Sequence, residues 1–337
     1  MAKKMFAAQV VSRGEIEIIT TRKPELLPDH AVVRSMILSV CGSDLHRLLC
    51  LPEEDYPLVP GTSGHEMIGI VEAVDAPGSE IRTGDVVIAL APNDNAMAEY
   101  FLAAREDILP IPEGSDVERM LMAQQLGTVI HACKRLPDLT GKDAAVIGQG
   151  SAGLFFDFML RRLGVQRVIG IDLEPARIGA AKKFGATHGV HVSSTDAYEA
   201  VMKITDGQLV DLVVEAAGES DAINLTPKLV KVYGQLLFFG VPRLRTFSFD
   251  FYTFFRKYCY TNSISGTAKE PGRVSVRSAL NVIAGGEIDV RSMITHRFPF
   301  EQVREAYELV RTRTDGVIKV IIEMPWYRKQ HENNLIG

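Results

Sequence analysis

Two short N-terminal stretches, SVCGSDLH at residues 39 to 46 and PGTSGHEMIG at residues 60 to 69, carry the side chains best suited to chemistry. They supply a thiol at Cys41, imidazoles at His46 and His65, a hydroxyl at Ser43 and carboxyls at Asp44 and Glu66. A thiolate and an imidazole are the usual ligands of a catalytic zinc ion, which polarises oxygen and lowers the pKa of a bound hydroxyl. Residue types alone leave a plainer reading open, because a buried cysteine and a histidine solvated beside a glutamate are both common. A hydroxyl followed by a histidine can also carry a proton to water near neutral pH. Ser43 and His46 fit that pattern, and an exposed loop histidine is the alternative for His46.

A different chemistry is written in DAAVIGQGSAGLFFDFML, residues 143 to 160. Ala144 to Ile147 form an apolar run of strand length, three glycines follow, and Leu154, Phe155, Phe158 and Met159 recur at helical spacing. Strand, turn and helix in that order make a phosphate-binding turn. Gly148 allows the tight bend, Gly150 leaves room for a pyrophosphate and Gly153 lets the helix lie close to the strand. Ser151 and Ala152 open that helix, whose free N–H groups would face the anion. A second apolar run, Arg167 to Ile171, ends in Asp172, about 20 residues past the glycines, where a carboxylate can accept hydrogen bonds from ribose hydroxyls. That charge favours NAD over its 2′-phosphorylated form. Arg177 is the residue that would serve a phosphate instead, and capping the helix that begins near Pro175 is the plainer role for Asp172.

The elements needed to position these groups follow from the pattern of the chain. Its 337 residues are comfortable for two domains, and 46% hydrophobic content is that of a soluble globular protein. A formal charge of −5 argues against nucleic acid as a partner. No run approaches the ~20 apolar residues of a membrane span. Four scattered cysteines (Cys41, Cys50, Cys133, Cys259) suit a reducing compartment, so a cytoplasmic enzyme is expected. Residues 1 to about 90 read as short strands broken by Pro and Gly, such as Phe6 to Val11, Glu15 to Thr20 and Ala31 to Val40. Helical periodicity covers 117 to 135. Strand candidates at 144–147, 167–171, 190–192, 211–215, 235–240 and 258–265 alternate with helical stretches, which predicts a doubly wound parallel sheet. A helix at 274–284, a strand at 294–298, a helix at 300–311 and a strand at 316–322 complete the first domain, and the tail from Met324 stays unassigned.

CGSDLH, GHE, GDVV, AEY, GQGSAG and the closing IKV stand in the order found in medium-chain zinc-dependent alcohol dehydrogenases. The chain resembles that family over nearly its whole length, closest to the sorbitol and threonine dehydrogenase branch. The resemblance implies an α/β protein with a doubly wound Rossmann sheet at 126–267 and a β-rich GroES-like catalytic domain at 1–125 and 268–337. It implies NAD-dependent oxidation of a secondary alcohol, polyol or sugar-like, by a homodimer or homotetramer. Cys41 and His65 would ligate one catalytic zinc with Glu66 close to the metal, and Ser43 and His46 would relay the alcohol proton. Lys319 would lie near the cofactor pyrophosphate, a surface lysine being the alternative.

The sequence departs from the family in two places. Where the branch has a third, glutamate ligand, alignment on IHAC puts Gln124, so Gln124 or Glu66 completes the site or the metal is lost. The four closely spaced cysteines of a structural zinc lobe are missing near residues 90 to 105, so no structural zinc is expected. Asn93, Asp94 and Asn95 in that region border the pocket or form a polar turn. The aromatic segment FSFDFYTFFRKYCY, 247 to 260, reads as an apolar edge at an interface or as a core helix under the sheet. Gln124 also keeps open a zinc-independent NADPH reductase on the same fold, and a catalytically silent NAD-binding sensor is the third reading.

Overall fold

The computed structural model describes residues 3–90, 95–264 and 266–336, with side chains up to Gln330. Asn93, Asp94 and the last residue of the 258–265 strand candidate lie outside the described residues. The chain divides into two compact units, Met1–Gln125 with Ala268–Gly337, and Leu126–Thr267. No described helix is long and apolar enough to cross a membrane.

Leu126–Thr267 is built on a six-stranded, all-parallel sheet. Its strands in chain order are Asp143–Ile147, Arg167–Asp172, His188–His191, Val210–Glu215, Val230–Phe238 and Tyr260–Ser263. Numbered that way, the sheet runs 3-2-1-4-5-6, the doubly wound order, whose connections diverge between strands 1 and 4 and leave a crevice at their carboxyl ends. The central strands are mostly apolar and buried because helices cover both faces: every residue of Asp143–Ile147 is buried, and so are Val168 to Asp172. Gly148 makes the turn out of strand 1 at φ +93°. A Cβ on Gly153 would collide with the Gly148 carbonyl oxygen, and one on Gly150 would meet no protein atom within 4 Å. Gly148 and Gly153 are therefore dictated by the chain itself, whereas Gly150, the N-cap of the helix Ser151–Arg162, faces open space.

The aromatic segment is neither an edge strand nor a core helix. Phe251–Lys257 is a short helix with no fully buried residue, and the sheet edge is the strand that follows it, Tyr260–Ser263. Only Phe254 of this helix packs against the apolar core of the unit, because its other rings point outward.

The other unit is centred on the long strand His30–Val40. It pairs antiparallel with Met67–Asp75 on one side and with Lys319–Glu323 on the other. Ile294–Pro299 extends the sheet beyond Lys319–Glu323, and Val86–Ala89 and Ile108–Pro110 extend it beyond Met67–Asp75. Tyr100–Ala104 also pairs with His30–Val40, and Lys4–Ser12 and Glu15–Arg22 form a separate hairpin. The 117–135 pattern resolves into two helices, Val117–Leu121 and Ala123–Cys133. The unassigned tail is a helix, Pro325–Ile336, anchored where Trp326 Nε1 donates to Ser35 O at 2.7 Å.

Candidate active site

The pairing of three strands concentrates the reactive residues. Leu38 pairs with Met67 and Val40 with Val320, so Cys41, Glu66 and Lys319, each one step beyond a strand end or at its start, meet at the same edge. Backbone bonds lock the loop that carries His65: Gly61 N donates to Ala8 O at 2.7 Å, Met97 N to Gly61 O at 2.9 Å and Ala96 N to Gly64 O at 3.0 Å. A side chain on Gly61 or Gly64 would run into the backbone of Asn95, Ala96 and Met97, which explains the glycines of GTSGHE.

Asp44 ties the cluster together. Its Oδ2 accepts from Cys41 N at 2.8 Å, and its Oδ1 lies 3.1 Å from His65 Nδ1. A carboxylate that accepts a hydrogen bond from Nδ1–H keeps the proton on that nitrogen and leaves the Nε2 lone pair free, the usual arrangement behind a metal-bound imidazole. His65 Nε2 then stands 4.0 Å from Glu66 Oε1. The Cys41 thiol, a His65 ring nitrogen and a Glu66 oxygen all lie within 4.8 Å of one another. A sulfur, a nitrogen and an oxygen converging in this way match the donor types of a zinc site with a position left open.

The fourth member of the cluster is Lys319. It is 1% exposed, and its ammonium is ion-paired with Glu66 Oε2, which also accepts from Ser39 Oγ. Lys319 is thus not a surface residue, and its partner is a carboxylate of the cluster itself. The ion pair prevails over burial for both partners, holding Glu66 below the usual carboxylate range and Lys319 above the usual amine range. Burial pulls the His65 imidazole down, but Asp44 and Cys41 outweigh it and hold His65 well above its ordinary value.

From the helix Ala123–Cys133, the side chain that reaches the thiol is Gln125, whose Nε2 lies 3.8 Å from Cys41 Sγ. Gln124, the residue indicated by alignment, is its buried neighbour. Ser43 and His46 sit half-buried at the start of the helix Asp44–Leu49, linked by a backbone bond from His46 N to Ser43 O of 3.1 Å.

In the other unit, Asp172 ends strand 2 with both oxygens occupied: Oδ2 accepts from Gln149 N at 2.6 Å and Oδ1 from Glu174 N at 2.8 Å. It holds the glycine turn and also supports the start of the helix Pro175–Lys183. Ser151 is buried at the helix start, and Ala152 and Arg177 are half-buried.

Comparison with known proteins agrees with this architecture. The family described as "Zinc-binding dehydrogenase" matches residues 153–280, and that described as "Alcohol dehydrogenase GroES-like domain" matches residues 27–113. The chain belongs to the medium-chain zinc-dependent alcohol dehydrogenases. An alcohol dehydrogenase of Cupriavidus necator is 28% identical, with 96% of this chain and all of that protein covered. A sorbitol dehydrogenase of Bacillus subtilis is 26% identical over 95% of this chain and 97% of its own length. The solved structure of zinc dependent alcohol dehydrogenase 2 from Streptococcus pneumonia superposes with a TM-score of 0.81 at 26% identity, covering 95% of this chain and 99% of that one.

Three polar residues at this dehydrogenase's sites escape sequence reasoning. Ser39 and Gln125 touch cluster members through sheet pairing and helix phase, for which the sequence holds no signal. Glu215 is the third. It ends strand 4 at the switch point, and its Oε1 accepts from Ala217 N and Gly218 N, each at 2.8 Å. An acid closing an apolar strand was visible, but its burial was not. Burial pushes the Glu215 carboxyl up from 4.5 to about 7, against the pull of those two N–H groups.

Two outcomes follow. Lys319→Met leaves Glu66 as a buried, unpaired charge and is expected to cost about 3–5 kcal/mol in urea unfolding, most of it recovered in Lys319→Met/Glu66→Gln. A single variant no less stable than the double would contradict that coupling. The Glu215 contribution is complete below the unfolded-state pKa of 4.5 and is lost as pH rises through about 7. The stability of the wild type relative to Glu215→Gln should therefore fall by about 3 kcal/mol across that window in denaturant titrations.

Proposed function

We propose that the protein oxidises a secondary alcohol of the polyol or sugar-like class, passing hydride to NAD, with one zinc ion held by Cys41, His65 and Glu66 and with Gln125 or Gln124 at its margin. The observation that carries this reading is the convergence of thiol, imidazole and carboxylate in one unit. The other unit of the same chain carries a glycine turn at a switch point and, at the end of the neighbouring strand 2, the acid assigned to the ribose. When bound, zinc would supply a Lewis acid that brings an alcohol's pKa toward neutrality.

The chain's own groups do the rest. Asp44 fixes Cys41 and His65 before the metal arrives, which lowers the ordering cost of binding it. Lys319 occupies one oxygen of Glu66 and leaves the other facing His65. The alcohol loses its carbinol hydrogen as hydride to the nicotinamide, giving ketone and NADH. Its hydroxyl proton leaves by way of Ser43 and then His46, which hands it to water. The buried carboxylate of Asp172 disfavours a 2′-phosphate and supports NAD over NADP. A thiol ligand and scattered cysteines suit a reducing, cytoplasmic setting.

The alternative is metal-free reduction of an activated double bond. It draws on the amide at Gln125 and on a cluster in which Lys319 and a protonated His65 already balance Asp44 and Glu66.

A second copy of the chain is the proposed partner. Among the described residues the edge strand Tyr260–Ser263 has one unpaired side, and Phe251, Tyr252, Phe255 and Tyr258 are all more than half exposed around it. Pairing of two such edges would cover both features.

Elemental analysis of the purified protein is expected to give about one zinc per chain. Cys41→Ser should lose the metal together with NAD-dependent oxidation of a polyol panel. A zinc-free Cys41→Ser that still turns over, or wild-type turnover untouched by chelators and faster with NADPH, would favour the metal-free reading. Light scattering should report a multiple of the chain mass; the mass of one chain would sink the proposed pairing.

A further inference from the structure

The buried polar atoms beneath the glycine turn do not balance. Gln149, the second residue of that turn, sends its side chain inward, where Nε2 donates to Val146 O at 2.9 Å and the amide fills the space beside Gly170. Asp157, on the helix Ser151–Arg162, is also wholly buried, and the Gln149 side chain is the polar group that acts on it. Asp157 Oδ1, Asp157 Oδ2 and Gln149 Oε1 are then three buried acceptors without a donor. Buried acceptors in native proteins are nearly always satisfied. An ionised carboxylate can only accept, whereas a carboxylic acid brings one donor.

Among the described residues no charge compensates an ionised Asp157. Strands 1 and 2 and the helix Pro175–Lys183 pack on its helix, and Phe239, after strand 5, meets Phe156 with ring centroids 4.9 Å apart. Asp143 is engaged with Arg167 at 2.8 Å, and Asp172 with the Gln149 and Glu174 N–H groups. Glu174 and Arg177 are half-buried, Lys182 and Lys183 are exposed, and none of them acts on Asp157. On its own helix, Arg161 donates to Val165 O and Gln166 O, and Arg162 lies over the Phe158 ring at 5.5 Å.

We propose that Asp157 is a positioning residue of the dinucleotide turn, its acid hydroxyl donating to Gln149 Oε1. The proposed bond extends a connection already present from turn to strands, in which Gln149 Nε2 donates to Val146 O and Gln149 N to Asp172 Oδ2. Gln149 thereby couples a buried acid to the acid assigned to the ribose, and the inference rests on that cofactor reading. Burial holds the Asp157 carboxyl well above the usual range, against the opposing pull of Gln149. Its contribution is complete at low pH and is lost as pH rises through the raised value, when a charge without a counterion appears beside Gln149 Oε1.

The test is NADH binding by fluorescence with the full chain, from neutral to alkaline pH, beside melting temperatures over the same range. Wild-type affinity is expected to weaken about tenfold toward alkaline pH. Asp157→Asn, whose amide donates at every pH, should bind within about twofold of the wild type at neutral pH and keep that affinity when alkaline. Asp157→Leu, which has no donor, should be weak throughout. An alkaline loss in Asp157→Asn equal to that of the wild type, or wild-type affinity in Asp157→Leu, overturns the proposal. If the wild type binds no NADH at any pH, the cofactor reading fails instead. The acid–amide pair is then judged on melting temperature alone: an alkaline decline confined to the wild type supports it, and superposed profiles refute it.

Discussion

The buried pairing of Lys319 with Glu66 is the interaction on which the candidate metal cluster depends. Two charges withdrawn from water in this way gain little net stability against an apolar pair of the same volume, but either one alone would be costly. The pair therefore specifies register as much as it stabilises. Lys319 can reach Glu66 only if Lys319–Glu323, His30–Val40 and Met67–Asp75 pair as they do. That same pairing brings Cys41 to the carboxylate, so a slip of one residue would turn the cluster residues to the opposite face. With Asp44 fixing Cys41 and His65, the donor set is shaped before any metal arrives.

The nucleotide unit uses carboxyl groups differently. Asp172, Glu215 and Asp157 are all buried near the carboxyl ends of the central strands or on the helix that follows strand 1, and none has a lysine or arginine as its partner. Asp172 and Glu215 accept from backbone N–H groups, so each organises a loop or turn instead of neutralising a charge. Glu215 also receives Phe239 N and Gly240 N on its own carbonyl, so one residue ties together the connections after strands 4 and 5. A crevice lined with backbone groups held in this manner suits a ligand with many hydrogen-bonding oxygens.

Much of the fold was legible because its signals are local. The run Ala144 to Ile147, the glycine spacing and Asp172 sit within about 30 residues of one another, a span that a strand–turn–helix–strand unit must occupy whatever surrounds it. Boundaries drifted where the pattern was weak. The strand near 190 begins at His188, since glycine and histidine carry no alternation, and the strand near 235 begins at Val230, since Tyr233 adopts a positive φ that breaks the pattern. The segment at 247–260 left its element open because aromatic content measures the tendency to be covered and not the element that covers it.

The sequence by itself determined which donors exist and the order in which they come: Cys41, Asp44, His65, Glu66, the glycine turn and Asp172. It also determined that a parallel sheet would carry the turn, because apolar runs of strand length alternate with helical periodicity. Only the tertiary structure decided that Lys319 belongs to the cluster, that Gln125 and not Gln124 touches Cys41, and that Asp157 and Glu215 are buried. The physical reason is the same in each case. Sheet pairing joins residues far apart in the chain, neighbouring residues on a helix of 3.6 residues per turn point in different directions, and burial of a carboxyl depends on what packs over it.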